Sequence, residues 1–214
     1  MQAYKGRKMP IRLLIIFLCV FSKLTMAIEE PKFSVLEQES SFELRQYESQ
    51  LIAEVLVEGS RDEASNKGFR LIADFIFGNN EGTQKESQKI AMTAPVTVEP
   101  RKIAMTAPVT VDQSDDKSWR VQFVMPKEYT LETLPKPKNN LVKIREIPSK
   151  RYAVIVFSGL NNPEKIENNT KQLREWMEAK HLQGIGPPQL ARYNPPWTLP
   201  PWRRNEILIE VSPN

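Results

Sequence analysis

Apolar and polar positions alternate with a period of two through three short runs near the start of the chain, residues 33–38, 42–47 and 51–57, separated by Ser40-Ser41 and Glu48-Ser49-Gln50. That period belongs to strands with one buried face, and the brief polar breaks make them a meander. From Ser60 the spacing changes. Ala64, Gly68, Leu71, Ile72, Phe75 and Ile76 trace one stripe at the helical period, Ser60 with Glu63 three residues on forms a capping box, and Gly78 is the expected stop. Beyond a polar stretch at 79–87, alternation returns at 119–125. The second half is a looser version of the first: strands at 141–147 and 152–157, a helix from Pro163 to about Leu182, then strands at 189–194 and 206–211. Asn162 caps that helix, and Ile166, Leu173, Trp176 and Met177 give it an apolar stripe. Residues 126–140, with Pro135 and Pro137, read as a surface crossing. Strands, helix and strands, repeated once, predict an α+β fold with two helices laid on an antiparallel sheet.

The segment Lys89-Ile-Ala-Met-Thr-Ala-Pro-Val-Thr-Val98 recurs unchanged as Lys102 to Val111. Two copies are too few for a solenoid. The alternation predicts a hairpin, with Val98 opposite Ile103, Val96 opposite Met105, Ala94 opposite Ala107, Met92 opposite Val109 and Ile90 opposite Val111. Every apolar side chain then falls on one face. Pro95 and Pro108 remove ladder donors and imply an edge, a bulge or a bend. Met92 and Met105 are soft enough to ligate iron, but as inward-facing, flexible side chains they read first as core filler.

Charge and cysteine content change the picture once the first 27 residues are set apart. Lys5, Arg7, Lys8 and Arg12 precede an apolar run at 13–21, and Thr25-Met26-Ala27 supplies the small residues a signal peptidase reads. Residues 1–27 are therefore expected to be a signal peptide and the protein exported, periplasmic or secreted; an uncleaved N-terminal anchor is the alternative. This segment carries five of the 30 basic side chains and no acidic ones, leaving 25 basic against 26 acidic groups. The basic pI belongs to the export signal. No basic field remains to hold nucleic acid or an anionic membrane. Cys19 lies in the same segment, so residues 28–214 form one domain that depends on an ordinary core rather than on disulfides.

The paired Lys-Ile-Ala-Met-Thr-Ala-Pro-Val segments, Phe123-Val-Met-Pro-Lys-Glu-Tyr129, and Tyr193-Asn-Pro-Pro-Trp197 with Arg203-Arg-Asn-Glu-Ile207 together resemble the SOUL haem-binding protein family over roughly residues 32–211. The resemblance implies a distorted antiparallel β-barrel built from a duplicated β-α-β-β unit with two flanking helices, similar to the effector-binding domain of certain drug-sensing regulators. It also implies non-covalent binding of haem, another tetrapyrrole or a comparable hydrophobic small molecule in an apolar groove.

A haem site needs an apolar slot, cations for two propionates and, for firm ligation, an axial side chain. Phe69, Ile72 and Phe75 on the first helix are candidate walls, with Trp197 and Trp202 at the mouth; Ile72 and Phe75 read more directly as core against the sheet, whereas Phe69, off the main stripe, reads either way. Lys67, Arg70, Arg203 and Arg204 are candidate propionate partners. Some relatives carry a histidine just before the tyrosine of the second strand, where this chain has Gln46-Tyr47. Basic residues that some place on the first helix correspond to Asn66 and Asp74. The lone histidine, His181, stands at a helix C-terminus, where imidazolium beside free carbonyls explains it. No strong axial histidine and no metal site are expected. Glu206, beside Arg203 and Arg204, must be paired if it is buried, as a structural lock or as part of the groove. The chain has no serine triad, cysteine nucleophile or phosphate-cradling glycine loop, and no catalytic residue is assigned. Two alternatives stay open: a small-molecule hydrolase of the related fold using Glu206 and Tyr193 as acid and base, and a lipid- or peptide-binding interaction protein.

Overall fold

A computed structural model describes residues 29–101 and 118–213. The elements follow the alternating pattern: β1 (Phe33–Glu39), β2 (Phe42–Tyr47), β3 (Gln50–Glu58), α1 (Arg61–Ile76), β4 (Asn80–Glu81), β5 (Val96–Arg101), β6 (Ser118–Val124), β7 (Lys136–Pro137), β8 (Lys143–Ile147), β9 (Lys150–Ser158), α2 (Pro163–Ala179), β10 (Gln189–Arg192), a 3-10 turn (Pro200–Trp202) and β11 (Arg204–Glu210). Nine strands form one curled antiparallel half-barrel sheet in the order β1-β2-β9-β11-β10-β5-β6-β3-β8, and β4 with β7 makes a separate two-stranded ribbon. Both helices lie on one face of the large sheet, α1 over β3, β5 and β6 and α2 over β9 and β11. The fold is α+β.

The strand order shows how the chain is duplicated. Matching β2, β3, β5 and β6 with β8, β9, β10 and β11 turns the order β2-β9-β11-β10-β5-β6-β3-β8 into its own reverse. A pseudo-two-fold axis therefore passes between β5 and β10, where Val98 faces Leu190. Ala53 and Ala153 are both fully buried under the helices. Gly59 and Gly159, with φ of 121° and 101°, both break the chain just ahead of a helix cap, a conformation that suits glycine. The Met125 N–H donates to the Leu51 carbonyl as the Val211 N–H does to that of Arg151. The leading strand of each half pairs with the other half, β2 with β9 and β8 with β3.

The expected capping box closes α1: the Ser60 hydroxyl accepts from the Glu63 N–H, and the Glu63 carboxylate accepts from the Ser60 N–H at 3.0 Å. Asn162 caps α2 by accepting from the Lys165 N–H at 2.8 Å. This helix stops at Ala179, earlier than its apolar stripe suggests, because His181 takes a left-handed turn with φ 55° and its N–H bonds to the Glu178 carbonyl. The core under α1 joins Ile72, Phe75 and Ile76 to Val55, Val121 and Phe123; the core under α2 joins Leu173, Trp176 and Met177 to Ala153, Ile155 and Ile207. Among the described residues no helix is long and apolar enough to cross a membrane.

Val96 and Val98, expected to face the second copy in a hairpin, have other partners. Val98 faces Val121 on one side and Leu190 on the other, and Val96 faces Phe123, so both edges of β5 are occupied by β6 and β10. Glu99, Pro100 and Arg101, expected in the turn, continue the strand. Period two fixed which side chains point inward, but not which strand would be the neighbour. Ile90 is buried and Met92 partly so in the core below α1, as core filler, although 90–92 is not a strand. The second copy, Met105 included, and the expected signal segment 1–27 lie outside the described residues.

Close contact between α1 and the sheet depends on Gly68, where an added Cβ would lie 2.5 Å from Val121 Cγ2 and 2.6 Å from Val121 Cβ. Gly68→Ala is expected to lower stability by about 1–3 kcal/mol of overpacking, although alanine gains up to about 1 kcal/mol of helix propensity. Asn66→Ala, on the exposed side of the same helix, is the control and should leave the urea midpoint unchanged or raise it. Equal midpoints for Gly68→Ala and the unaltered protein would contradict this packing.

Candidate functional site

Alternation along β2, β9 and β11 sends Glu43, Arg45, Tyr47, Tyr152, Arg204 and Glu206 to the face away from the helices. Glu206 has no solvent exposure. Its Oε2 accepts from Arg45 Nη1 at 2.9 Å and from the Tyr193 hydroxyl at 2.7 Å. Its Oε1 accepts from Arg204 Nη2 at 2.7 Å, Arg204 Nε at 3.0 Å and Arg45 Nη2 at 3.2 Å. Arg45, 2% exposed, also donates to Glu43 at 2.6 Å and to the Tyr47 oxygen at 3.0 Å, and lies over the Phe33 ring at 4.3 Å. The Arg204 guanidinium lies 3.9 Å from the Tyr193 ring centroid and reaches Glu30 at 3.0 Å. A carboxylate offers about four lone-pair directions, and here they meet five donors. Glu206 is thus a structural lock. Its partner Arg45 was missing from the sequence reading, since a lone arginine on a predicted strand carries no local sign of a carboxylate 161 residues away.

The phenols around this lock are held neutral. Burial pushes Tyr47 up to about 12 against the opposing Arg45 charge, and burial together with the Glu206 charge pushes Tyr193 up as well. Tyr193 gives its hydrogen bond to Glu206, and both are buried. The pair weighed as acid and base is therefore spent on each other and on two arginines.

The other expected residues divide into two groups. Ile72 and Phe75, considered as groove walls, are 0% and 1% exposed and present no surface to a ligand; packing over Val121 and Phe123 decides their role. Arg203 donates through Nε to the Thr198 carbonyl at 2.7 Å and through Nη2 to the Pro196 carbonyl at 2.5 Å, so it clamps the loop it follows. Arg204 is committed to Glu206 and Glu30. By contrast, Lys67 and Arg70 are exposed on α1, and Phe69 is 39% exposed with its ring 5.5 Å from that of Phe123. Trp197 and Trp202 are 82% and 73% exposed on the clamped loop. That loop leaves β10 at Arg192, which donates to Asp62 and Ser65 at the start of α1. Gln46 bonds to Ser149 at 2.7 Å and accepts from Arg151 at 3.3 Å, a strand-turn contact. His181 is exposed beyond α2.

Sequence reasoning gave no sign of a cavity of about 570 Å³ between the start of β3, the end of β6 and the segment 126–132. Its opposite wall is the segment 29–32, held by a bridge from Glu29 to Thr93 and by the Lys127 N–H, which donates to the Glu29 carboxylate at 3.0 Å. Residues 126–140 are more than a surface crossing, since Leu134 and Pro135 are buried and Tyr129 lines this cavity.

Residues 28–210 match the family model of the SOUL haem-binding protein. The chain belongs to the SOUL family. The match spans nearly all of the described structure and both halves of the duplicated sheet. No curated protein sequence matches significantly. Among solved structures, the C-terminal domain of EcmrR superposes with a TM-score of 0.56 at 12% identity, covering 81% of this chain and 98% of that one. A hydrolase from Listeria innocua superposes with a TM-score of 0.58 at 13% identity, covering 83% and 94% respectively. At such identities these likenesses establish the SOUL domain's effector-binding-like fold and nothing further.

The lock has two measurable consequences. Arg45→Met leaves part of a buried carboxylate uncompensated and should cost about 3–5 kcal/mol; combined with Glu206→Gln in a double-mutant cycle, the two losses should fall well short of additive. Additive losses would mean the two groups do not act together. For Tyr47 the folded-state value lies above the ordinary 10.0. Its contribution is therefore fully present below pH 10 and is lost as pH rises from about 10 to 12, on the order of 2 kcal/mol. Denaturation midpoints across that window should fall, and fall less steeply in Tyr47→Phe.

Proposed function

We propose that this SOUL domain binds haem or a related tetrapyrrole non-covalently, against the outward side of α1 and the Pro-Trp loop. The observations that carry this reading, beside the family itself, are the exposed Phe69, Lys67 and Arg70 on α1 and the exposed Trp197 and Trp202 on the Pro-Trp loop, which leaves β10 at Arg192 beside the start of α1. Large aromatic side chains left in water cost hydrophobic free energy unless something covers them, and flat rings suit a flat macrocycle. Lys67 and Arg70, which make no ion pair among the described residues, suit propionates. The residues fit edge and face contact with the macrocycle, whereas none of them offers a strong axial ligand: Gln46 replaces the histidine of some relatives, and His181 lies past the end of the other helix. Iron would be held weakly, by contacts to the porphyrin more than to the metal. The reading is one of binding, and the pair weighed as acid and base, Glu206 and Tyr193, is committed to the fold.

Export belongs to the same reading. It is supported by the basic residues, apolar run and small residues of 1–27, and N-terminal sequencing of protein recovered from the host envelope, beginning at Ile28, would verify it.

Titration of the protein with haem should give a saturable Soret shift at micromolar protein. Lys67→Glu with Arg70→Glu should weaken binding at least tenfold, about 1.4 kcal/mol, while His181→Ala should stay within about twofold, well under that step. Absence of a saturable shift, or a large loss in His181→Ala, would overturn the site as drawn.

A further inference from the structure

We propose that the cavity walled by residues 126–132 is a second binding site, separate from the tetrapyrrole surface, and that it takes an organic cation with an apolar body. Its volume of about 570 Å³ lies within the roughly 300–1,000 Å³ common for small-molecule pockets. Leu51, Val124, Met125 and the Tyr129 ring supply apolar lining.

Charge decides the class of ligand. Carboxylates of Glu29, Glu30, Glu48, Glu132 and Glu146 line the cavity against only two ammonium groups, Lys32 and Lys127, an excess of three negative charges. Two of the five are engaged: Glu30 with Arg204 at 3.0 Å, and Glu29 with the Lys127 N–H at 3.0 Å. Glu48, Glu132 and Glu146 are exposed at the mouth and make no ion pair among the described residues. A dianionic macrocycle is repelled here, whereas a cation is drawn in and gains strength as it leaves bulk water. A metal ion does not fit, because among the described residues no three acidic, histidine or cysteine side chains converge to hold one. Diffuse negative charge over an apolar floor suits a large, weakly hydrated cation, and the Tyr129 ring can take it on its face.

Duplication supports a purpose for this wall. In the second half the chain passes the equivalent point at Val211, which bridges to Gly184, and the Ser212 N–H donates to the Gln183 carbonyl. In the first half, residues 126–134 swing outward instead. They are fixed by the Tyr129 N–H to the Pro126 carbonyl, the Thr130 N–H to the Thr133 hydroxyl at 2.9 Å, and the Leu134 N–H to the Thr130 carbonyl at 2.9 Å. This wall of the cavity is thus fixed by its own hydrogen bonds.

Isothermal titration of the full chain at low ionic strength with benzyltrimethylammonium, benzyl alcohol and benzenesulfonate tests this. The ammonium compound should saturate one site, the alcohol should bind at least tenfold more weakly and the sulfonate not at all. Replacing Glu48, Glu132 and Glu146 together by glutamine, all exposed and so safe for folding, should weaken the ammonium compound at least tenfold. It should leave the haem titration unchanged, which separates this site from the tetrapyrrole surface. No saturable heat with the ammonium compound, equal binding of the sulfonate, or undiminished affinity in the triple variant would each overturn the proposal.

Discussion

A carboxylate with no access to water sits within the sheet, and much of the second half is arranged to keep it charged. Taking Glu206 out of solvent costs several kcal/mol unless its lone pairs are met by well-placed donors. The chain meets them with Arg45 from β2, Arg204 from β11 itself and Tyr193 from the end of β10. Phe33 covers Arg45, and Glu30 tethers Arg204. One ionised group thereby fixes the N-terminal extension, the leading strand of the first half, the last strand of the second, and the root of the Pro-Trp loop. Its net stabilisation is modest, as is usual for buried ion pairs, and its larger effect is on register: a one-residue slip of β11 would put Asn205 or Ile207 in place of Glu206 opposite the Arg45 guanidinium.

That arrangement constrains function. Arg203 and Arg204 look available in the sequence, adjacent to two tryptophans, yet one clamps backbone carbonyls and the other faces an inward carboxylate. Of the four cations considered for an anionic ligand, Lys67 and Arg70 on α1 stay exposed. The clamp pins the backbone of a proline-rich loop at Pro196 and Thr198, which would reduce the ordering cost of a ligand on the proposed surface.

Local features of the sequence were legible where the physics is local. Period two located the longer strands other than β5 within a few residues, and Ser60-Glu63 and Asn162-Pro163 marked both helix starts because capping is a local contact within the first turn. Partnership was not legible. Val98 alternates as well for a hairpin with the second repeat as for an interior strand between Val121 and Leu190, and only the completed sheet distinguishes them. Arg45 likewise gave no sign of Glu206, and the cavity depends on where segments 29–32 and 126–132 meet. Phe69, Lys67 and Arg70 emerged on the surface while Ile72 and Phe75 did not, since the helical stripe is wide enough that sequence alone could not assign its edge.

The exchange of leading strands implies something about how such a domain came to exist. Each half gives its first strand to the other, so neither half alone completes the sheet around its own β3 or β9. A single unit of this kind, freed from its tandem copy, would have an open place beside its longest strand and a spare strand to offer. Two such units could satisfy each other only by mutual donation around a two-fold axis. The single chain is in this sense a dimer whose subunits have been joined end to end, and the departures between its halves, the cavity at one end and the Glu206 lock at the other, are features that symmetric partners could not have held singly.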